Sequence, residues 1–275
     1  MRKRIGMLAG YGDLPVAFAI EAQAAGIDVC AIGITADVNP QLKQYVAAYR
    51  EISLGQWQQV IDTLRAYGVQ DLVLLGKVEK SWALHTTEVD ARFRQVVGAL
   101  QARNDDRMIL AFVTDLAKEG FALRTQGELL SELFPGPGVL STRRPTQQEW
   151  NDIVFGYQMA KGIAGLDIGQ TCAVKHGMVL AVEAIEGTDE CIRRGGRLGR
   201  ADVVIVKVAK PQQDHRFDIP TVGPDTLRVM HESGARVLAF EAGATFVLQL
   251  NTMCRYADER GMVIVAYLPD RPITS

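Results

Sequence analysis

Between Val206 and Gly223 the chain sets Lys207, Lys210 and Arg216 beside Asp214 and Asp218, with Gln212, Gln213 and His215 among them. Carboxylates hold a hard cation, and Lys and Arg take up the remaining negative charge. The mixture therefore suits a metal-assisted phosphate site. A β-branched run, Val203 to Val208, leads into the stretch, and Pro211 and Pro220 stop it from continuing as a helix or central strand. A loop held by a rigid strand can aim such side chains outward. The same charges would also suit a solvated turn in which they pair with one another. His215 could titrate near neutrality, but its neighbours suit a solvated side chain equally well.

A second acidic group lies at Glu183, Glu186 and Asp189, where a strand passes into a helix. Glu183 ends an apolar strand and is costly to bury unless it is paired or binds a metal. Three neighbouring acids repel one another, and a divalent cation relieves this. Glu186 and Asp189 equally suit acids at a helix N-terminus, where Thr188 or Asp189 is the expected cap. Just upstream, Asp167-Ile-Gly-Gln170 precedes two short strands, Thr171–Val174 and Val179–Glu183, joined by a turn at His176-Gly177.

A third group is glycine-based. Gly10-Tyr11-Gly12 follows the apolar strand Ile5–Ala9 and opens a helix at Pro15, and Gly76-Lys77 follows the strand Asp71–Leu75. Such turns present backbone N–H groups at the carboxyl end of strands, a setting for an anion or a nucleotide. A dinucleotide fingerprint wants a third glycine where Pro15 stands, which makes a nicotinamide-dependent oxidoreductase the weaker reading.

The elements that must carry these groups alternate as strand and helix, which predicts an α/β fold with a Rossmann-like parallel sheet in residues 1–134. Helices are expected over Asp90–Gln101 and Met108–Lys118. Phe134-Pro-Gly-Pro-Gly138 breaks the pattern, so residues 135–145 are expected to link to a second α/β domain, residues 146–275. That domain opens on the capping box Thr146-Gln-Gln-Glu149, with Trp150, Ile153, Val154, Tyr157 and Ala164 on one helical face.

The chain of 275 residues is 48% hydrophobic and 23% charged with a formal net charge of −2, ordinary for a soluble protein and without the basic excess of a nucleic-acid binder. No apolar segment is long enough to span a bilayer, and the short apolar run after Met1-Arg-Lys-Arg4 is too broken for a signal peptide. Four scattered cysteines without metal or redox spacing fit a reducing cytoplasm. The familiar phosphate-loop, zinc-protease and nucleophile-elbow motifs are missing.

Ala9-Gly-Tyr-Gly-Asp-Leu-Pro15, Leu166-Asp-Ile-Gly-Gln170, Val182-Glu-Ala-Ile-Glu-Gly-Thr-Asp189 and Lys207-x-x-Lys-Pro-x-Gln-Asp-x-Arg-Phe-Asp-x-Pro-Thr-x-Gly223 follow in that order. Together they resemble the LpxI-type UDP-2,3-diacylglucosamine diphosphatases of lipid A biosynthesis over nearly the whole chain. The resemblance implies a cytoplasmic, Mg²⁺-dependent enzyme that splits a lipid-linked UDP-sugar into UMP and 2,3-diacylglucosamine 1-phosphate. It also implies that water attacks the phosphorus next to the sugar, that the substrate lies between the two domains, and that Asp218 is the essential motif aspartate. Candidate catalytic residues are thus Asp218, Lys207 and Arg216, with Asp218, Glu183 and Asp189 for the metal. Gly10, Tyr11, Gly12, Gly76, Lys77, Asp167, Gln170, Thr188, Lys210 and Gln213 are candidates for substrate. A lipid substrate leaves room for peripheral contact with the inner membrane and for a homodimer. A sensor that binds a sugar nucleotide without cleaving it is the other alternative.

Overall fold

In the computed structural model, residues 3–78, 89–98, 105–128, 130–211, 214, 216 and 219–269 are described. They divide into two units, one of the residues up to Leu130 together with Arg216, the other of the remaining residues from Ser131 on.

The first unit alternates β1 (Arg4–Ala9), α1 (Leu14–Ala24), β2 (Asp28–Gly33), β3 (Ala48–Glu51), α2 (Trp57–Ala66) and β4 (Asp71–Leu75). It then adds α3 (Ala91–Gly98), α4 (Asp105–Lys118) and β5 (Ala122–Leu123). Its five strands lie in the order β3-β2-β1-β4-β5, all parallel. The order reverses between β1 and β4, the point at which open α/β sheets leave a crevice at their carboxyl edge. Trp57, Val60, Ile61 and Leu64 recur at helical spacing and are wholly buried, which seats α2 on the sheet. The Trp57 ring meets Phe112 of α4 at 4.6 Å, and its indole N–H donates to Asp115 at 2.8 Å. Asp115 also accepts from Arg92 Nε of α3 at 2.8 Å, so one carboxylate joins three helices.

In the second unit, β6 (Gly138–Val139) and α5 (Gln147–Gly165) come first, then the hairpin β7 (Thr171–Lys175) and β8 (Met178–Val182). Next come α6 (Thr188–Gly199), β9 (Val203–Lys207), β10 (Thr221–Val222), α7 (Pro224–Glu232) and β11 (Ala235–Glu241). The unit closes with β12 (Phe246–Val247), α8 (Leu250–Glu259) and β13 (Val263–Tyr267). The main sheet runs β6-β13-β11-β9-β7-β8 and is mixed: β13, β11 and β9 are parallel, while β6, β7 and β8 run antiparallel to their neighbours. β10 and β12 form a separate parallel pair. Gly138 and Val139, in the stretch expected as a linker, form the edge strand of this main sheet.

Both faces of the sheet are covered, so β9 reads as an unbroken apolar run rather than an alternating one. On one face α5 packs Ile153, Ala160 and Ala164 against Val174, Val204, Val206 and Val237. On the other, Ile192, Leu227, Met230 and Met253 of α6, α7 and α8 cover Ile205, Leu238 and Ile264. The capping box forms as read: Thr146 Oγ1 accepts the Glu149 N–H at 3.2 Å, and Glu149 returns an oxygen to the Thr146 N–H at 2.7 Å. The apolar face differs from the expected one in that Val154 is exposed. The buried face follows Ile153, Gly156, Ala160 and Ala164, and Gly156 admits Val206 where a larger residue would collide. All four cysteines are free thiols, and burial pushes Cys172 and Cys191 up to about 12.

Candidate functional site

At the reversal point of the first unit, the turns after β1 and β4 are joined to each other. The Gly10 N–H donates to the Leu75 carbonyl at 2.8 Å, and Tyr11 and Lys77 exchange backbone hydrogen bonds at 2.8 and 2.9 Å. A Cβ on Gly10 would lie 2.3 Å from the Lys77 carbonyl oxygen, so glycine is needed for this close approach. The sequence places Gly10, Tyr11, Gly12, Gly76 and Lys77 on one edge, and they do come together there. The N–H groups of Gly10 and Tyr11, however, are spent on the neighbouring turn rather than presented to an anion. Tyr11 and Lys77 project exposed side chains from it. Asp13 does not cap α1; its carboxylate accepts from the Asn39 amide at 2.9 Å.

In the second unit Glu183, Thr188 and Lys207 form a connected group. Glu183 is 9% exposed and Lys207 6%. The Thr188 hydroxyl donates to Glu183 Oε1 at 2.8 Å and accepts from Lys207 Nζ at 3.3 Å. The same ammonium donates to the Thr221 carbonyl at 3.0 Å, and Glu183 Oε2 accepts the Gln170 N–H at 3.3 Å. The charge that is costly to bury is therefore matched by hydrogen bonds and a nearby cation. Thr188 and Asp189 do not cap α6. Gly187 occupies that position, which leaves the Thr188 hydroxyl for Glu183 and Asp189 exposed in the first turn. The acids of this turn take separate partners: Glu186 pairs with Arg194, and its carboxyl falls below the usual range through backbone hydrogen bonds and that guanidinium.

Asp167–Gln170 is held against this group from the side. α5 ends in a Schellman turn, with the Asp167 N–H on the Ala164 carbonyl and the Ile168 N–H on the Ile163 carbonyl, both at 3.1 Å. The turn puts Asp167 at φ 56°, a left-handed conformation usually left to glycine, and its carboxylate takes Lys210 Nζ at 2.8 Å. A Cβ on Gly169 would fall 2.1 Å from the Glu183 carbonyl oxygen, so glycine lets this loop lie directly on Glu183. Among the described residues, two buried polar atoms here, Gln170 Oε1 and Thr171 Oγ1, have no hydrogen-bond partner. Leu166 (72% exposed), Ile168 and Ile185 (78%) stand out on the same two loops.

Sequence reading missed a further set behind Lys210. Tyr157 Oη and Lys161 Nζ of α5 both reach Glu241 at the end of β11, with contacts of 2.9–3.1 Å. Glu241 Oε2 also accepts the Ala209 N–H at 2.8 Å. The i, i+4 spacing of Tyr157 and Lys161 marks one helix face, but nothing in the sequence links it to Glu241, eighty residues on in the Lys161 pairing.

Two family models cover this chain: the LpxI N-terminal domain matches residues 4–133 and the LpxI C-terminal domain matches residues 136–265. The chain belongs to the LpxI family. The UDP-2,3-diacylglucosamine pyrophosphatase LpxI of Caulobacter vibrioides is 30% identical to it over 282 residues, spanning 98% of this chain and all of that protein. Among solved structures, a phosphoribosylglycinamide formyltransferase from Anaplasma phagocytophilum is 16% identical over 32% of this chain and 48% of its own, with a TM-score of 0.25. An ADP complex of an N5-carboxyaminoimidazole ribonucleotide synthetase is 15% identical over 62% and 32%, at 0.27. Likenesses this slight carry no argument.

Of the LpxI motif residues, Gln213, Phe217 and Asp218 lie outside the described residues, as does His215, at a position that the motif does not fix. Arg216 is described, half-buried and engaged with a neighbour. Among the described residues no group of three or more His, Cys, Asp and Glu side chains is placed to hold a metal. Glu183 is the one buried acid of the three proposed ligands that is described, and it carries hydrogen bonds that orient both of its oxygens. That is compatible with Mg²⁺, which takes one or two carboxylates and fills its remaining positions with phosphate oxygens and water. Among the described residues no helix is long and apolar enough to cross a membrane.

Proposed function

We propose that this LpxI chain hydrolyses the diphosphate of UDP-2,3-diacylglucosamine, releasing UMP and 2,3-diacylglucosamine 1-phosphate, with Mg²⁺ as cofactor. Family membership supports the activity at the level of a lipid A pyrophosphatase. The observation that carries the chemistry is the buried ammonium of Lys207, held by Thr188 and the Thr221 carbonyl beside Glu183. A diphosphate repels an attacking hydroxide, so catalysis consists mostly of positioning and charge neutralisation.

Lys207 is fixed by at least two acceptors and would meet the phosphate without first having to be ordered. Lys210, braced by Asp167, and Arg216 would grip the other phosphate oxygens, with Arg suited to a bidentate contact. Asp218 would orient the attacking water or ligate the metal, with Glu183 as the second carboxylate and the exposed Asp189 as a further candidate. When bound, Mg²⁺ would neutralise charge on the diphosphate oxygens and polarise the phosphorus. Gln170, whose Oε1 has no hydrogen-bond partner among the described residues, is a further candidate for substrate. Gly10, Tyr11, Gly12, Gly76 and Lys77 are assigned to the nucleotide or sugar part and Gln213 to the phosphates. The exposed Leu166, Ile168 and Ile185 give acyl chains an apolar surface.

Lys207→Met, which keeps the stem and removes the charge, should reduce UMP release on the order of a hundredfold, the scale of one lost oxyanion contact. Steady-state assay with UDP-2,3-diacylglucosamine and Mg²⁺ measures it. Activity within a factor of two of the parent would remove Lys207 from the reaction.

A further inference from the structure

The polar group behind the loop has no part in the chemistry above, yet it grips the loop at one point. Lys161 Nζ donates to the Ala209 carbonyl at 2.8 Å and to Glu241 Oε2 at 2.9 Å, while Glu241 Oε2 accepts the Ala209 N–H at 2.8 Å. Both backbone groups of Ala209 are thus held by one ion pair. One residue earlier, the Val208 N–H donates to the Gln170 carbonyl at 3.0 Å. One residue later, Lys210 is tied to Asp167. The Tyr157 hydroxyl donates to Glu241 Oε1 at 3.1 Å, and the Tyr157 ring packs edge-on against Tyr267 at 5.2 Å, which fixes the carboxylate from behind.

A partly buried ion pair is a poor device for stability, because apolar residues of the same shape usually do as well or better. What it supplies is direction: an acceptor and a donor aimed at the N–H and C=O of one residue, and so at the two peptide units that flank it. Ala209 is where β9, carrying Lys207, gives way to the stretch that carries Lys210, Arg216 and Asp218.

We propose that Glu241 and Lys161 are positioning residues for the hydrolase reaction, a clamp on Ala209 that sets the phosphate-binding stretch at its exit from β9. This rests on the function proposed above. Neither residue touches substrate; each acts through the backbone. A misplacement of about 1 Å in such a stretch can lower turnover on the order of a hundredfold.

The test uses the intact chain with Glu241→Gln, Lys161→Met and the apolar double variant Lys161→Met/Glu241→Leu, assayed for UMP release from UDP-2,3-diacylglucosamine alongside thermal denaturation. The expected result is a kcat lowered at least tenfold in all three with KM within about a factor of two, while each variant stays folded at the assay temperature although the Ala209 backbone groups that lose their partners lower its melting point. Lys161→Arg, which can still donate to both acceptors, should recover part of kcat. A stable double variant with parental kcat would overturn the clamp, because the pair would then be structural only.

Hydrogen exchange at the Ala209 and Lys210 amides separates this proposal from the one beneath it. If the parent chain releases no UMP, the hydrolase reading fails, and faster exchange in Glu241→Gln still supports the clamp. Unchanged exchange there overturns it whatever the activity.

Discussion

Asp167 shows how a single residue can be kept for function against its own backbone preference. A left-handed conformation costs a non-glycine residue about 1–2 kcal/mol, and an ion pair as exposed as Asp167–Lys210 returns about 0–1 kcal/mol. Asp167→Gly should therefore leave the melting temperature unchanged or raise it, while weakening substrate binding because Lys210 loses its brace. Melting curves and KM measured on the same variant check both halves. A clear drop in stability would show that the carboxylate serves folding instead. The need for a left-handed residue at this position was not legible in the sequence, since a helix end at Gly165 makes that glycine the natural candidate and the turn falls two residues later. Glu183 was legible: an acid ending an apolar strand is conspicuous. Its partner Thr188 is, with Asp189, of the residue type that ordinarily caps a helix, and no sequence signal shows that Gly187, at positive φ, takes that position instead.

Elements with strong local signals were read almost to the residue. The capping box of α5 is one, because its two reciprocal hydrogen bonds depend on four consecutive positions and nothing else. Thr146→Ala should cost about 1 kcal/mol, seen as a lower denaturation midpoint with unchanged slope. The strands around the carboxyl-edge turns were equally plain, as short apolar runs closed by glycine. What could not be read was pairing between distant segments. That β7 joins β9 antiparallel, with β8 beyond it at the edge, making the second sheet mixed, depends on contacts across more than thirty residues, such as Thr171 opposite Lys207. The position of Glu241 behind Ala209 depends on the same topology.

Each of the two units has apolar packing of its own, on both faces of the sheet in the second, and the first is tied together by a polar centre as well. Burial raises the Asp115 carboxyl, but hydrogen bonds from Arg92 and Trp57 and the Arg92 charge outweigh it, so it lies below the ordinary 3.8. A carboxyl depressed on folding stabilises the protein above its unfolded value, and that contribution is lost as pH falls through the folded value. The stability advantage of the parent chain over Asp115→Asn should therefore be full near neutrality and shrink on acidification from about pH 5 toward 2. Urea melts of both chains across that range measure it, and an advantage that grew on acidification would reverse the assignment.

For the molecule as a hydrolase, the most direct measurement is the reaction in ¹⁸O-water with UDP-2,3-diacylglucosamine and Mg²⁺, read by mass spectrometry for the parent and Asp218→Ala. The predicted result is UMP and 2,3-diacylglucosamine 1-phosphate in equal amounts from the parent, with the label on the lipid phosphate, and neither product from the variant. Undiminished turnover by Asp218→Ala, or no UMP from the parent chain at all, would contradict it.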